Sequence, residues 1–165
     1  MTHVLDGPSV EAAVAQALAR HGASPGPLLQ VLHAVQEAIG CVPDESVPLI
    51  ADGLNLSRAE VHGIVTFYHH FRRTPPGLHV MHLCRAEACQ AMGARALEAH
   101  ATATLGIGFH ETTPDGRVTL LPVACLGNCA LSPAVLIAGE LHGRVTPQRF
   151  DAILAELRAE GRGRP

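Results

Sequence analysis

Four of the five cysteines in this sequence fall in two closely spaced pairs. Cys84 and Cys89 are separated by four residues, and Cys125 and Cys129 are separated by three. Two thiolates on one short segment can chelate one metal ion. A [2Fe–2S] cluster contains two irons, each of which takes two terminal thiolates, so two cysteine pairs match its valence. These four cysteines are therefore the candidate ligands.

Other chemistry fits the same residues. A structural zinc ion is also held by four cysteines in two short pairs, and the spacing does not separate zinc from an iron–sulfur cluster. A thiol–disulfide oxidoreductase is a third alternative. That chemistry favours two cysteines two residues apart at a helix start, and the sequence has no such pair.

The fifth cysteine and the histidines do not extend the candidate site. Cys41 follows a helix-ending glycine and has no cysteine nearby in the sequence, so we interpret it as a small buried residue. The eleven histidines are scattered. His62, His69 and His70 do not form a metal-binding pattern with acidic partners.

Composition and charge exclude several kinds of partner. The chain has 12 basic and 15 acidic residues and no basic stripe, so nucleic acid is not an expected partner. No apolar run approaches the roughly 20 residues that cross a bilayer, and we expect no direct membrane contact. No secretory signal is evident, so we expect a cytoplasmic protein. Cysteines in that compartment bind metals or carry out redox chemistry more often than they form disulfides.

Before residue 73 the periodic signals are helical. Ser9 is a predicted N-cap, Gly40 a predicted C-cap, and Ser57 with Glu60 a predicted capping box. The predicted helices cover residues 9–21, 28–39 and 47–54, and a fourth begins after Ser57 with an apolar stripe of Val61, Ile64, Val65, Tyr68 and Phe71.

The segment Thr74-Pro75-Pro76-Gly77 cannot continue a helix, and after it strands alternate with helices. We predict an α+β protein with a helical domain at residues 1–73 and an α/β domain at residues 78–165. The tail 161–165 is expected to fray. The predicted strands are 78–83, 118–124, 134–138 and 141–145, and the predicted helices are 90–105 and 147–159.

Several motifs in order resemble the 24-kilodalton subunit family of NADH dehydrogenases. These are Leu-His-Ala-Val-Gln-Glu-Ala-Ile-Gly at 32–40, Val-His-Gly-Ile-Val-Thr-Phe-Tyr at 61–68, the Cys84/Cys89 pair, and Cys-Leu-Gly-Asn-Cys-Ala-Leu-Ser-Pro at 125–133. The resemblance implies a thioredoxin-like second domain whose two loops bury a [2Fe–2S] cluster. It therefore favours the cluster over zinc.

The resemblance also implies a partner subunit that binds FMN and NAD, neither of which is expected on this chain. The segment Gly106-Ile-Gly108 is consistent with the expectation that this chain binds no NAD. It lacks the third glycine of a dinucleotide-binding fingerprint. The apolar stripes of the helical domain are long for so small a bundle, and Phe67, Tyr68 and Phe71 lie next to the Pro-Pro-Gly boundary, so we expect this domain to dock the flavin subunit. Arg85, Gly127 and Asn128 are predicted to tune the potential of the cluster.

Within the family, the loop Cys-Arg-Ala-Glu-Ala-Cys-Gln at 84–90 resembles the gamma subunit of soluble NAD-dependent molybdenum formate dehydrogenase. This implies an electron-transfer subunit beside a larger catalytic subunit that contains molybdenum and iron–sulfur clusters. The equivalent subunits of NADH:quinone oxidoreductase and of bidirectional NAD-linked hydrogenase are the alternatives. A zinc-stabilised interaction module is the alternative of a different class.

Overall fold

The structure is a computed structural model that describes residues 8–159, and the chain divides between Pro76 and Gly77 into two compact units. The predicted fraying of residues 161–165 lies outside the described residues. In residues 8–76 the regular structure is helical. The helices are α1 (Val10–His21), α2 (Leu28–Ile39), α3 (Ser46–Leu54) and α4 (Arg58–Phe67).

The predicted helix ends are confirmed by their hydrogen bonds. The Ser9 side chain accepts a hydrogen bond from the Ala12 N–H at 3.3 Å. At the start of α4, the Glu60 N–H donates to Ser57 Oγ at 3.2 Å, and the Ser57 N–H donates to Glu60 Oε2 at 2.8 Å. Gly40 ends α2 with φ of +81°, a left-handed conformation that glycine adopts without steric penalty.

The fourth helix ends earlier than the sequence predicted. Its apolar stripe was expected to run through Phe71, but α4 ends at Phe67 and Tyr68 is extended. The buried side chain of Gln36 explains the early end of the helix. Its Nε2 donates to the His70 carbonyl at 3.0 Å, and its Oε1 accepts from the Arg72 N–H at 2.7 Å. These hydrogen bonds hold a non-helical segment that returns Phe71 to the core.

Residues 77–159 form a sheet with helices. The elements in chain order are β1 (His79–Cys84), α5 (Glu87–Ala91), α6 (Ala94–Leu105), β2 (Glu111–Thr112), β3 (Val118–Val123), β4 (Val135–Ile137), β5 (Glu140–His142) and α7 (Pro147–Ala159), with a 3-10 turn at Cys129–Leu131.

Strand β1 lies at the centre of the sheet. Within the described residues the strand order is β2-β3-β1-β4-β5. β1 runs parallel to β3, with His79 opposite Val118 and Cys84 opposite Val123, whereas β4 is antiparallel to β1. The carboxyl ends of β1 and β3 therefore lie side by side, and the segments that follow them leave from the same edge.

The sheet and two helices share one apolar core. Met81 and Leu83 of β1 are fully buried, as the alternation of side chains along a strand allows. Phe150 of α7 is also fully buried in this core. The other fully or nearly buried members include Leu97 and Ala101 of α6, Leu120 of β3, Val135 and Ile137 of β4, and Ile153 and Leu154 of α7.

The structure corrects several predicted boundaries in this unit. The helix predicted at residues 90–105 is two helices, because Gly93 adopts φ of +97° and breaks the chain between α5 and α6. The first strand ends one residue later than predicted, so Cys84 belongs to β1. The prediction missed β2, whose two exposed residues carry no apolar alternation.

Along residues 8–159 no helix has the length and apolarity to span a membrane.

Candidate metal centre

The first cysteine pair lies in the interior of the α/β unit. Cys84 is the last residue of β1, and its N–H donates to the Ala134 carbonyl at 3.1 Å. Cys89 lies in the middle of α5, and its thiol is within hydrogen-bonding reach of the Cys84 thiol. The two residues are 2% and 1% exposed, and we refer to them as the buried pair.

Small side chains surround the buried pair. Ala94 and Ala134 are buried against it, and their short side chains let the backbone come close to the sulfur atoms. The partly buried neighbours are Ala86, Val123 and Leu126.

Burial and hydrogen bonding act in opposite directions on these two thiols. Burial raises the pKa of Cys84, because a thiolate loses its hydration there. Burial also acts to raise the pKa of Cys89, but hydrogen bonds with Ser132, Cys84 and the Ala134 N–H outweigh it and hold that pKa below its usual value. The surroundings of Cys89 therefore favour the thiolate, which is the form that ligates metals.

The second cysteine pair lies on the loop that follows β3. Cys125 comes two residues after the strand, and Cys129 is the first residue of the 3-10 turn. Both residues are exposed, and we refer to them as the exposed pair. The Gly127 N–H donates to Cys125 Sγ at 3.3 Å, with φ of +74° at Gly127. A hydrogen bond with Cys125 and its nearby charge raise the pKa of Cys129.

The two pairs meet at one edge of the sheet. The Leu126 N–H, on the loop of the exposed pair, lies near the Cys84 sulfur and acts to lower the pKa of that thiol. Within residues 8–159 no three cysteine, histidine, aspartate or glutamate side chains are placed so that they could hold one metal ion. The described cysteines of the site fall in two pairs, one buried and one exposed.

Backbone N–H groups are directed at the cysteine sulfurs. Such donors stabilise negative charge on sulfur. A cluster of two irons, two sulfides and four thiolates is negatively charged and becomes more so on reduction, so the donors fit it. The Gly127 N–H donates a hydrogen bond to Cys125, while the N–H groups of Ala86 and Leu126 near Cys84, and of Ala134 near Cys89, act to lower the pKa of those thiols.

Cys41 and the neighbouring rings of His33 and His70 lie in the helical unit, away from the four candidate ligands in the sequence. Cys41 is buried, as predicted, and burial raises its pKa. His33 and His70 contact each other, with ring centroids 5.2 Å apart, and His33 also contacts Phe71. These rings serve packing within that unit.

Arg85, predicted to tune the site, has other partners in the structure. Its Nε lies 3.1 Å from a carboxylate oxygen of Glu98, and its guanidinium lies over the Phe109 ring at 5.4 Å. The Arg85 charge is therefore compensated by Glu98. Its backbone carbonyl accepts a hydrogen bond from Gln90 Nε2 at 2.7 Å, which helps to fix the Cys84–Cys89 segment.

The sequence analysis missed Ser132. Its Oγ is 3.4 Å from Cys89 Sγ and 2.8 Å from the Cys129 carbonyl oxygen. The contact with Cys89 spans 43 residues, so no local spacing could indicate it.

Two thiol pairs at the carboxyl ends of parallel strands are typical of proteins that bind metal or exchange electrons through cysteine. The comparison with protein families identifies which class this is. Residues 14–158 match the model of the thioredoxin-like [2Fe–2S] ferredoxins. The chain belongs to this family, and the resemblance predicted from its motifs is confirmed.

Individual relatives belong to NAD(P)-linked systems. Over 126 residues the chain is 40% identical to a subunit of the NADH-quinone oxidoreductase of Pseudomonas aeruginosa, with 76% of each chain covered. Over 131 residues it is 36% identical to the HndA subunit of the NADP-reducing hydrogenase of Solidesulfovibrio fructosivorans, covering 79% of this chain and 77% of that one.

A solved structure from an NAD-linked enzyme is also similar to this chain. The chain is similar to a chain of an NAD+-reducing [NiFe]-hydrogenase in its H2-reduced state, with a TM-score of 0.66 and 27% identity over 79% of this chain. This chain spans 22% of that hydrogenase chain, about a fifth of its length.

Proposed function

We propose that Cys84, Cys89, Cys125 and Cys129 hold one [2Fe–2S] cluster, with the buried pair on one iron and the exposed pair on the other. The observation that carries this proposal is the pairing of the thiols, since each iron takes two terminal thiolates. The N–H donors directed at sulfur and the membership of the family support it.

Zinc remains the second candidate for these four residues. A structural zinc ion requires four thiolates arranged tetrahedrally around one point. The cysteine pairs fit either group, and the membership of the thioredoxin-like [2Fe–2S] family supports the cluster. Metal analysis separates the two, since only the cluster contains iron and inorganic sulfide.

When bound, the cluster supplies one-electron transfer. The chain keeps one thiolate pair away from water and leaves the other at the surface, where a redox partner can approach. Backbone donors such as the N–H groups of Leu126 and Gly127 hold the sulfurs and stabilise added negative charge. NADH gives up two electrons as a hydride, so a flavin on a partner subunit must divide them.

The proposed complex is an NAD-linked oxidoreductase of several subunits. Its partners would be a subunit that binds FMN and NAD and, if the loop at 84–90 indicates the subfamily, a molybdenum- and iron–sulfur-containing formate dehydrogenase subunit. The names of the relatives support the NADH:quinone oxidoreductase and hydrogenase contexts as alternatives. We place the complex in the cytoplasm, where thiols are kept reduced.

The helical unit is proposed to dock the flavin subunit. Phe67 is 71% exposed and Tyr68 41% exposed, and their rings meet edge to face at 5.0 Å. Exposed aromatic pairs are typical of protein interfaces. Phe71 is buried in the core of the unit and is not available for this contact. Replacing Phe67 and Tyr68 by alanine should weaken association with the flavin subunit in a pull-down, whereas Leu29→Ala, at another exposed apolar residue of this unit, should not.

Iron content tests the ligand assignment. Cys84→Ala and Cys125→Ala should each reduce the iron of anaerobically purified protein from about two atoms per chain to nearly none. Cys41→Ala is the matched control and should keep its iron. Full iron in either ligand variant would remove that cysteine from the proposed site.

The activity of the purified native complex tests the subfamily. NAD+ reduction that depends on formate supports the gamma subunit of formate dehydrogenase. Activity that depends on hydrogen, or NADH oxidation by quinone, would replace it by one of the alternatives.

A further inference from the structure

The hydroxyl group of Ser132 lies between the two cysteine pairs. Its Oγ is 3.4 Å from Cys89 Sγ of the buried pair and 2.8 Å from the backbone carbonyl of Cys129 in the exposed pair. Ser132 is 6% exposed, so bulk water has little access to compete for these contacts. This hydroxyl therefore contacts a cysteine of each pair.

Backbone hydrogen bonds on both sides fix the position of Ser132. The Arg144 N–H donates to the Leu131 carbonyl at 2.6 Å, and the Val145 N–H donates to the Pro133 carbonyl at 3.0 Å. Gly143 permits this close approach, because a Cβ there would lie 2.6 Å from the Leu131 Cβ. The backbone on both sides of Ser132 is therefore held by hydrogen bonds, which fixes the serine beside Cys89.

In the structure the Ser132 hydroxyl donates to the Cys129 carbonyl and accepts from the Cys89 thiol. Once Cys89 is a thiolate, the hydroxyl has one proton and two neighbours that can accept it. A Cys89 sulfur bound to iron carries no proton, so its contact with Ser132 persists only if the hydroxyl donates to the sulfur. The Cys129 carbonyl competes for the same proton. Reduction adds negative charge to the cluster and its sulfurs, which strengthens a hydrogen bond to Cys89 Sγ relative to one to the neutral carbonyl.

We propose that Ser132 is a positioning residue that raises the reduction potential of the cluster by donating a hydrogen bond to the Cys89 sulfur. This inference rests on the proposed function, since it requires a cluster on Cys89. The donated bond stabilises the reduced state more than the oxidised state. Hydrogen bonds to the ligand sulfurs are among the features that determine iron–sulfur potentials.

The test is a redox titration of the whole chain, followed by electron paramagnetic resonance. Ser132→Ala removes the hydroxyl with little change in volume and should lower the potential. The shift equals the difference between the strengths of this hydrogen bond in the two redox states, so we expect at most about a tenfold change in equilibrium constant, which is about 59 mV for a one-electron couple. Ser132→Thr restores a hydroxyl and should return the potential toward that of the wild type. An unchanged or higher potential in Ser132→Ala would overturn the inference.

A control variant removes a hydroxyl elsewhere in the same sheet. Thr112 of β2 contacts the Thr119 hydroxyl at 2.7 Å, and Thr119 lies four residues before Val123, the partner of Cys84. Thr112→Ala should leave the potential unchanged. An equal shift in both variants would attribute the effect of Ser132→Ala to general loosening, and would also overturn the inference.

A second measurement tests the hydrogen bond from Ser132 to the Cys89 sulfur if Ser132→Ala does not retain a cluster. In reduced wild-type protein, electron–nuclear double resonance after brief exposure to D2O should show loss of two coupled protons, the hydroxyl proton of Ser132 and the N–H proton of exposed Gly127. Buried backbone N–H protons exchange only through local opening and should remain. Loss of the Gly127 proton alone would contradict the inference. Absence of iron from the wild type would instead contradict the proposed function, so the two failures are distinguishable.

Discussion

The buried pair belongs to regular elements, with Cys84 at the end of a central strand and Cys89 inside a helix, and both are almost inaccessible to solvent. The exposed pair lies on a loop and a 3-10 turn at the surface. Polar groups near the sulfurs of the buried pair come from three separate segments, at Ala86, at Leu126 and at Ser132 to Ala134, whereas Gly127, between the cysteines of the exposed pair, donates to Cys125 from its own loop.

This difference suggests a division of roles between the two irons of the proposed cluster. The iron on the buried pair would be governed by the surrounding protein, through burial and fixed hydrogen bonds. The iron on the exposed pair would lie where a redox partner can approach. A metal site with one protected and one accessible side suits electron transfer between subunits better than it suits a purely structural role.

Thiol reactivity should show the largest difference between the pairs. In the full chain after removal of metal under reducing conditions, we expect Cys125 and Cys129 to react with a maleimide about 100-fold faster than Cys84 and Cys89. A buried thiol reacts only through local opening, and an opening free energy of about 3 kcal/mol gives such a factor. Peptide mass spectrometry over time measures each rate. Equal rates for the two pairs would contradict the comparison.

Helix α6 should tolerate a larger side chain less well beside the buried pair than on its exposed side. Ala94 is buried against the pair, whereas Ala96, two residues later in α6, is exposed. Ala94→Leu should reduce the free energy of unfolding by about 1–3 kcal/mol, because a larger side chain overfills the site. Ala96→Leu is the matched control and should change it by less than about 0.5 kcal/mol. Urea unfolding followed by circular dichroism checks both, and similar values for the two variants would mean that the pair is not closely packed.

Cys41 provides the smallest expected effect and a comparison with a buried thiol outside the site. Burial raises its pKa in the folded chain, with a lowering effect from Arg72 and a raising effect from Glu45. An unfolded thiol has a pKa of about 8.5, so above that pH the unfolded chain loses a proton that the folded chain keeps. The contribution to stability is complete below the unfolded pKa and is lost as pH rises through the folded pKa.

The unfolding free energy of the wild type should therefore fall more steeply above about pH 9 than that of Cys41→Ala. Urea titrations of both proteins at neutral and alkaline pH measure the two slopes. Because the other cysteines are the same in both proteins, the difference isolates Cys41. Parallel slopes would show that this thiol is not buried in solution.

Local signals in the sequence predicted much of the helical unit. The Ser57–Glu60 capping box and the Gly40 C-cap depend on residues within one turn of each other, and both are present. The end of α4 was not predictable in this way. It depends on Gln36, which hydrogen-bonds to a segment 34 to 36 residues later in the sequence.

The same distinction applies to the candidate site. The spacing of the cysteines predicted two pairs, and strand order explains why they meet, since β1 and β3 are parallel neighbours. The break at Gly93 separates α5 from α6 and was missed, because Gly93 lies within an otherwise apolar helical pattern. The contact between Ser132 and Cys89 depends on the tertiary fold and has no signature in the local sequence.

The most direct test is metal and sulfide analysis, combined with electron paramagnetic resonance, on anaerobically purified protein before and after reduction with dithionite. The account predicts about two irons and two sulfides per chain and a rhombic signal that appears only on reduction. Stoichiometric zinc with no signal would contradict it. The four cysteines would then form a structural metal site, and the chain would have no cluster through which to transfer electrons.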